Sequence, residues 1–130
     1  NFFKGTNGMP AIKNIFNQNK VIYFIWNKPY MCAGQNTFIN HVLKHIGFKN
    51  LISISRYPQI NEFELIKLQP DFCLLSSEPF PFKEKHINNL KNIVPNSKIM
   101  MVDGEIFSWY GSRLLHLKKY ITGLKKRLYA

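Results

Sequence analysis

The chain has 130 residues, room for one compact domain and too few for two of ordinary size. Apolar residues make up 45% and charged residues 19%, which excludes a disordered, charge-rich chain, and the longest apolar run, at residues 21–26, falls far short of the ~20 residues of a membrane-spanning helix. Eighteen Lys and Arg against seven Asp and Glu give a formal charge of +11, so a polyanion, an acidic membrane surface and an anionic ligand all come into consideration.

Residues 1–20 carry glycines, a proline and several asparagines with little periodicity, and read as a lead-in to the domain. From Val21 short apolar runs alternate with segments of helical period, the grammar of βαβ units and a mainly parallel sheet. VIYFIW (21–26) reads as a strand covered on both faces. Phe38, Ile39, Val42, Leu43 and Ile46 then recur at helical spacing, with Asn36 as N-cap and Gly47 as the stop. LISI (51–54) is the second expected strand, followed by a short helix to about Leu68 that opens on Asn61 and Glu64 at capping-box spacing. FCLLS (72–76) is the third strand; Ile87, Leu90 and Val94 mark a helix stopped by Pro95. KIMMV (98–102) is the fourth, and a last helix carries Leu114, Leu117, Ile121, Leu124 and Leu128 on one stripe with Lys118, Lys119, Lys125, Lys126 and Arg127 off it. The expected fold is an α/β, three-layer Rossmann-like lobe over 21–130, with a mainly parallel four-stranded sheet and helices on both faces.

In such a sheet ligands gather beyond the carboxyl ends of the strands. Those four loops hold Trp26, Pro29 and Tyr30, then Tyr57, then Glu78, Phe80 and Phe82, then Phe107, Trp109 and Tyr110. Rings and stiffening prolines concentrated at one edge offer flat contact area for a large, partly apolar ligand; capping of the core is the plainer reading of any single ring. No glycine-rich phosphate loop follows a strand, which argues against a nucleotide. His41 and His45 lie four apart but lack the glutamate of HExxH, and with His86 and His116 they read as surface histidines. Cys73, within an apolar run, reads as a buried thiol; Cys32 stands in the first loop without a cation to activate it. No acid/base pair or nucleophile elbow is evident, so no catalytic residue is assigned. The basic final helix leaves a nucleic-acid-binding α/β domain as the alternative, although no RNP1-like segment is present.

The segments VIYFIWNKPYMCAGQNTFINHVLKHIGFKN, RYPQIN, LQPDFCLLSSEPFPFKEKHI and VDGEIFSWYGSRLL, in that order, resemble the C-terminal lobe of ABC-importer substrate-binding proteins of the cobalamin and iron-siderophore type, the helical-backbone metal receptors. The resemblance covers roughly residues 20–128. It implies a non-enzymatic protein of two lobes joined by a rigid helix, periplasmic or membrane-anchored outside the cytoplasm, of which an N-terminal lobe is missing here and the tail of the spine helix would fall within 1–20. It implies no cofactor of the protein's own and no protein-bound metal; cobalamin, haem or a ferric siderophore would be the ligand, and an importer permease the partner. By position Trp26, Pro29, Tyr30, Tyr57, Glu78, Phe80, Phe107, Trp109 and Tyr110 would face the ligand. The family's permease-docking acid would fall in the first turn after the Tyr57 loop, where Glu62 and Glu64 flank Phe63, the position of the usual acid. Since Glu64 also suits the capping box, Glu62 is slightly favoured.

Overall fold

A computed structural model describes residues 16–105 and 114–129, with the side chains of the last helix from Tyr120 onward. The sheet is organised around β1 (Lys20–Trp26), where Val21 and Tyr23 enter the core on one face and Ile22 and Phe24 on the other, all four fully buried. That two-sided burial is why the strand is an unbroken apolar run instead of an alternation. β2 (Tyr30–Cys32), β3 (Lys49–Asn50), β4 (Gln59–Ile60), β5 (Phe72–Ser76) and β6 (Lys98–Val102) complete it in the order β4-β2-β1-β5-β6, with β3 also on β1.

The parallel set expected from the sequence is present as β3, β1, β5 and β6, but the sheet as a whole is mixed. One edge of β1 is divided: Lys20 and Val21 pair in parallel with β3, while Phe24 and Trp26 pair antiparallel with β2. β4 then adds antiparallel to β2. The second strand is displaced from 51–54 to Lys49–Asn50, because the parallel contact ends where Leu51 N–H donates to the Val21 carbonyl at 3.0 Å.

Helices cover both faces. α1 (Phe38–His45) and α4 (Leu114–Leu128) share a core with Val21, Tyr23 and Leu74, whereas α2 (Glu62–Leu68) and α3 (Glu84–Ile93) share one with Ile22, Phe24 and Leu75. This is the expected three-layer arrangement. Phe16, stacked on Phe48 at 4.1 Å, already belongs to the first core.

The N-cap of α1 is Thr37, one residue beyond Asn36: its Oγ1 accepts from Asn40 N–H at 3.0 Å and its hydroxyl donates to Gly34 O at 2.9 Å. Asn36 takes a left-handed φ of 61° and donates to Ser55 Oγ. Gly47, φ 102°, ends the helix in a Schellman arrangement, with Phe48 N–H on Leu43 O and Gly47 N–H on Lys44 O. In α2, Asn61 Oδ1 accepts from Glu64 N–H at 2.8 Å and Glu64 Oε1 from Asn61 N–H at 3.0 Å, the reciprocal pair read from the sequence.

Between β2 and α1 the chain leaves β1: Ala33 N–H still donates to Tyr23 O at 2.9 Å, but Gly34 N–H donates to Arg56 O at 2.7 Å and Gln35 N–H to Ile54 O at 2.9 Å. Asn50 adds a partly buried tie, donating to Ala33 O and to Asn40 Oδ1. At Gly34 the two backbones are so close that a Cβ would stand 2.0 Å from Ile54 O. Gly34→Ala should therefore destabilise the fold by about 1–3 kcal/mol or more, since backbone, not a movable side chain, is in the way. Urea unfolding should show a lowered midpoint at unchanged slope.

Candidate functional site

The adjacent, parallel strands β1 and β5 end side by side, with Phe24 opposite Leu75. β1 closes on Trp26, 38% exposed, and β5 runs into the loop that carries Phe80. The two rings meet edge to face, centroids 5.2 Å apart at 71°. Phe80 also meets Phe82 at 4.8 Å and His86 at 5.1 Å, and Phe82 meets His86 at 5.5 Å, all steeply inclined. Each contact suits the ring quadrupoles, so Phe82 and His86, both buried, support a half-buried Phe80 from beneath. The result is an aromatic ledge at the carboxyl edge of the sheet.

Backbone and hydroxyl contacts fix the loop behind the ledge. Ser77 N–H donates to Val102 O at 3.0 Å, Ser77 Oγ accepts from Gly104 N–H at 2.9 Å, and the Ser76 hydroxyl donates to Glu78 O at 2.5 Å. A Cβ on Gly104 would stand 2.2 Å from Ser76 Oγ, so a larger residue there would displace the hydroxyl that bonds Glu78 O. Glu78 is exposed beside it. Both edge loops contain a cis proline, Lys28–Pro29 and Glu78–Pro79.

His86, expected on the surface, is 7% exposed. It occupies the third position of α3, and its Nδ1 accepts from Lys83 N–H at 2.8 Å, filling the role a capping glutamate would take. Burial first, then the charge of Lys85, hold its imidazole below the ordinary pKa.

The other sequence-predicted residues do not all join this ledge. Pro29 and Tyr30 line a groove of about 570 Å³ with Asn61, Glu62, Asn89 and Ile93. Tyr30 leans edge-on against Phe24 at 5.4 Å, and its phenol is pushed up by burial and then by Glu62. Tyr57, 40% exposed, lies on the 54–58 segment outside β2, two strands from β1. Phe107, Trp109 and Tyr110 lie outside the described residues. Of the acids, Glu64 is engaged in the α2 cap, while Glu62 is exposed at the groove. Phe63 between them is 85% exposed.

Both cysteines are buried in the α2/α3 core. Burial raises the Cys32 thiol well above its usual pKa and pushes Cys73 up to about 12. Among the described residues no group of three His, Cys, Asp or Glu could hold a metal ion, and no helix is long and apolar enough to cross a membrane. Lys125, Lys126 and Arg127 are exposed at the end of α4, where Lys98, the first residue of β6, donates to Leu128 O. The dense positive charge thus lies at the opposite end of the sheet from the aromatic ledge.

No protein-family model matches the chain, and no curated protein sequence matches it. Solved structures do. A possible iron-binding, periplasmic solute-binding protein from Staphylococcus epidermidis matches 98% of this chain with 50% of its own, at TM-score 0.67 and 20% identity. The periplasmic vitamin B12 binding protein BtuF of Vibrio cholerae matches 97% with 48% of its own, at 0.64 and 15%. An ABC transporter substrate-binding protein from Listeria monocytogenes matches 98% with 54% of its own, at 0.68 and 17%. The chain has the Rossmann-like fold of one lobe of these binding proteins and spans about half their length.

Two outcomes follow from the thiols and the cap. Native protein at pH 8 should give no fast reaction with Ellman's reagent and two equivalents after unfolding, because both thiols stay buried and protonated. Glu64→Ala should lower stability by roughly 0.5–1 kcal/mol through the lost half of the cap, whereas Glu62→Ala should stay within about 0.5 kcal/mol of the parent in the same urea titration.

Proposed function

We propose that this chain is one half of the substrate-binding component of an ABC importer, and that it captures a corrinoid or a ferric chelate, haem included, without chemical change. The observation that carries this reading is the Trp26–Phe80 pair at the carboxyl ends of β1 and β5. A half-exposed indole braced by a phenyl ring offers a flat, low-entropy surface to a macrocycle or a rigid chelate. The fold supports the same reading, since it is shared with proteins described as iron-binding, vitamin B12 binding and ABC transporter substrate-binding. Those proteins are about twice as long as this chain, which leaves room for a second lobe that would face the ledge and hold the ligand against it. Glu62 is the carboxylate we assign to permease docking, because the Glu64 carboxylate is spent on its own helix. Such a protein works outside the cytoplasm, where its ligand arrives.

Capture by half a cleft is weak. The isolated lobe must still immobilise the ligand and its own rings while making only part of the contact, so a Kd on the order of 10–1000 µM is expected. Isothermal titration with cyanocobalamin, haemin and a ferric hydroxamate should show saturable binding of at least one at that level. Trp26→Ala and Phe80→Ala should each weaken it at least about fivefold, in line with the worth of one aromatic contact. Nanomolar binding by residues 1–130 alone, no binding of any of the three, or affinity indifferent to both substitutions would overturn the reading.

A further inference from the structure

The carboxyl-edge ledge has a titratable group built into its support. His86 does three things at once: its Nδ1 accepts the Lys83 N–H at 2.8 Å, its ring packs on Phe80 and on Phe82, and it does so at 7% exposure. Phe80 in turn is the ring against which Trp26 leans. We propose that His86 is a positioning residue for the Trp26–Phe80 ledge, holding it in place only while its imidazole is neutral.

The reason is the donor count of the ring. A neutral imidazole that accepts at Nδ1 carries its proton on Nε2; an imidazolium carries protons on both nitrogens and has no acceptor left. Protonation therefore sets two donors, Nδ1–H and Lys83 N–H, against each other at hydrogen-bond distance. Relief requires the ring to turn or the backbone at Lys83 to move, and either motion is transmitted to Phe80, because the imidazole packs against both phenyl rings, which also touch each other. The charges around the ring act in the same direction. Lys83 and Lys85 come from its own helix end and Lys28 from the β1–β2 hairpin, all cations that oppose a further positive charge. Glu84 in the same turn and Glu78 in the adjoining loop are both exposed, and neither carboxylate contributes to holding the charge of the ring. Phenyl faces attract cations, but that attraction restores neither the lost acceptor nor the shielding from the lysines.

The sign follows from the lowered imidazole pKa. The contribution of neutral His86 is present above the ordinary value of about 6.5 and is lost as pH falls through the lower folded value. A ledge intact at neutral pH would loosen in acid, and a ligand resting on it would be released there. Only that last consequence depends on the ledge being the ligand surface.

The test needs no ligand. In the full chain labelled with 5-fluorotryptophan, with Trp26→Phe assigning the Trp26 signal, ¹⁹F spectra are recorded from pH 8 to pH 5. The Trp26 resonance should move in one transition with its midpoint below about 6.5. His86→Gln should keep the neutral-pH position and abolish the transition, since glutamine at the third helical position accepts the same N–H and does not titrate. His86→Leu should show the acid-like position already at pH 8. In the parent protein the Lys83 amide proton should lose its downfield shift over the same range, a readout that requires no variant. A Trp26 signal flat across the range, a transition that persists in His86→Gln, or a Lys83 amide indifferent to pH would overturn the proposal. None of these outcomes depends on whether a corrinoid or chelate binds.

Discussion

The divided edge of β1 is the constraint on which the rest of the molecule depends. Two strands of opposite sense share one side of a single central strand, β3 over its first residues and β2 over its last. That arrangement requires the chain to leave β1 after Ala33, whose N–H still donates to Tyr23 O, and it does so where two backbones approach too closely for any side chain, at Gly34. Because β2 turns straight back from Trp26, the end of β1 becomes a hairpin rather than a crossover. Its terminal indole is thereby left at the edge beside the loop from β5. The aromatic ledge is a product of that topology as much as of the rings themselves.

On this frame the two ends of the sheet have different chemistry. The carboxyl ends carry edge-to-face rings tied down by short loops and serine hydroxyls, with few charges close to the rings beyond the lysines near His86. The amino ends carry Lys98 and the exposed basic residues at the close of α4. Among the described residues the positive charge is thus shared between the two ends, the lysines near His86 at one and the close of α4 at the other. The ring contacts and the exposed basic helix end therefore stand at separate ends of the sheet.

Much of this was legible in the residues. β1, β5 and β6 lie where short apolar runs predicted strands, β1 and β5 buried and β6 a partly exposed edge, and the Asn61–Glu64 spacing named the cap of α2. These are local signals, set by periodicity and by side chains three residues apart. What escaped was decided by distant partners. β2 and β4, three and two residues long, are too short to leave a period and exist only because they pair with each other and with β1. The N-cap of α1 fell to Thr37 rather than Asn36 because its hydroxyl also reaches Gly34 O, a contact set by the loop's path. Loop order brought Trp26 to Phe80 as strand-end reasoning suggests, but Tyr57 followed its segment to the far side of β2. His86 read as a surface histidine because a lone histidine on a helix usually is one, although Leu90 one turn on shares its buried face. Only the fold shows Phe80 and Phe82 closing over it.

The two thiols sit in one core layer, on different strands, and are sealed there by the same packing that raises their pKa values. In oxidising surroundings this makes redox safety a matter of timing. Once β1, β2 and β5 have assembled, oxidants and other thiols are shut out; before that, the chain carries two exposed nucleophiles that can be captured in unwanted crosslinks. Speed of collapse, rather than any disulfide, is then what protects the molecule on its way to maturity.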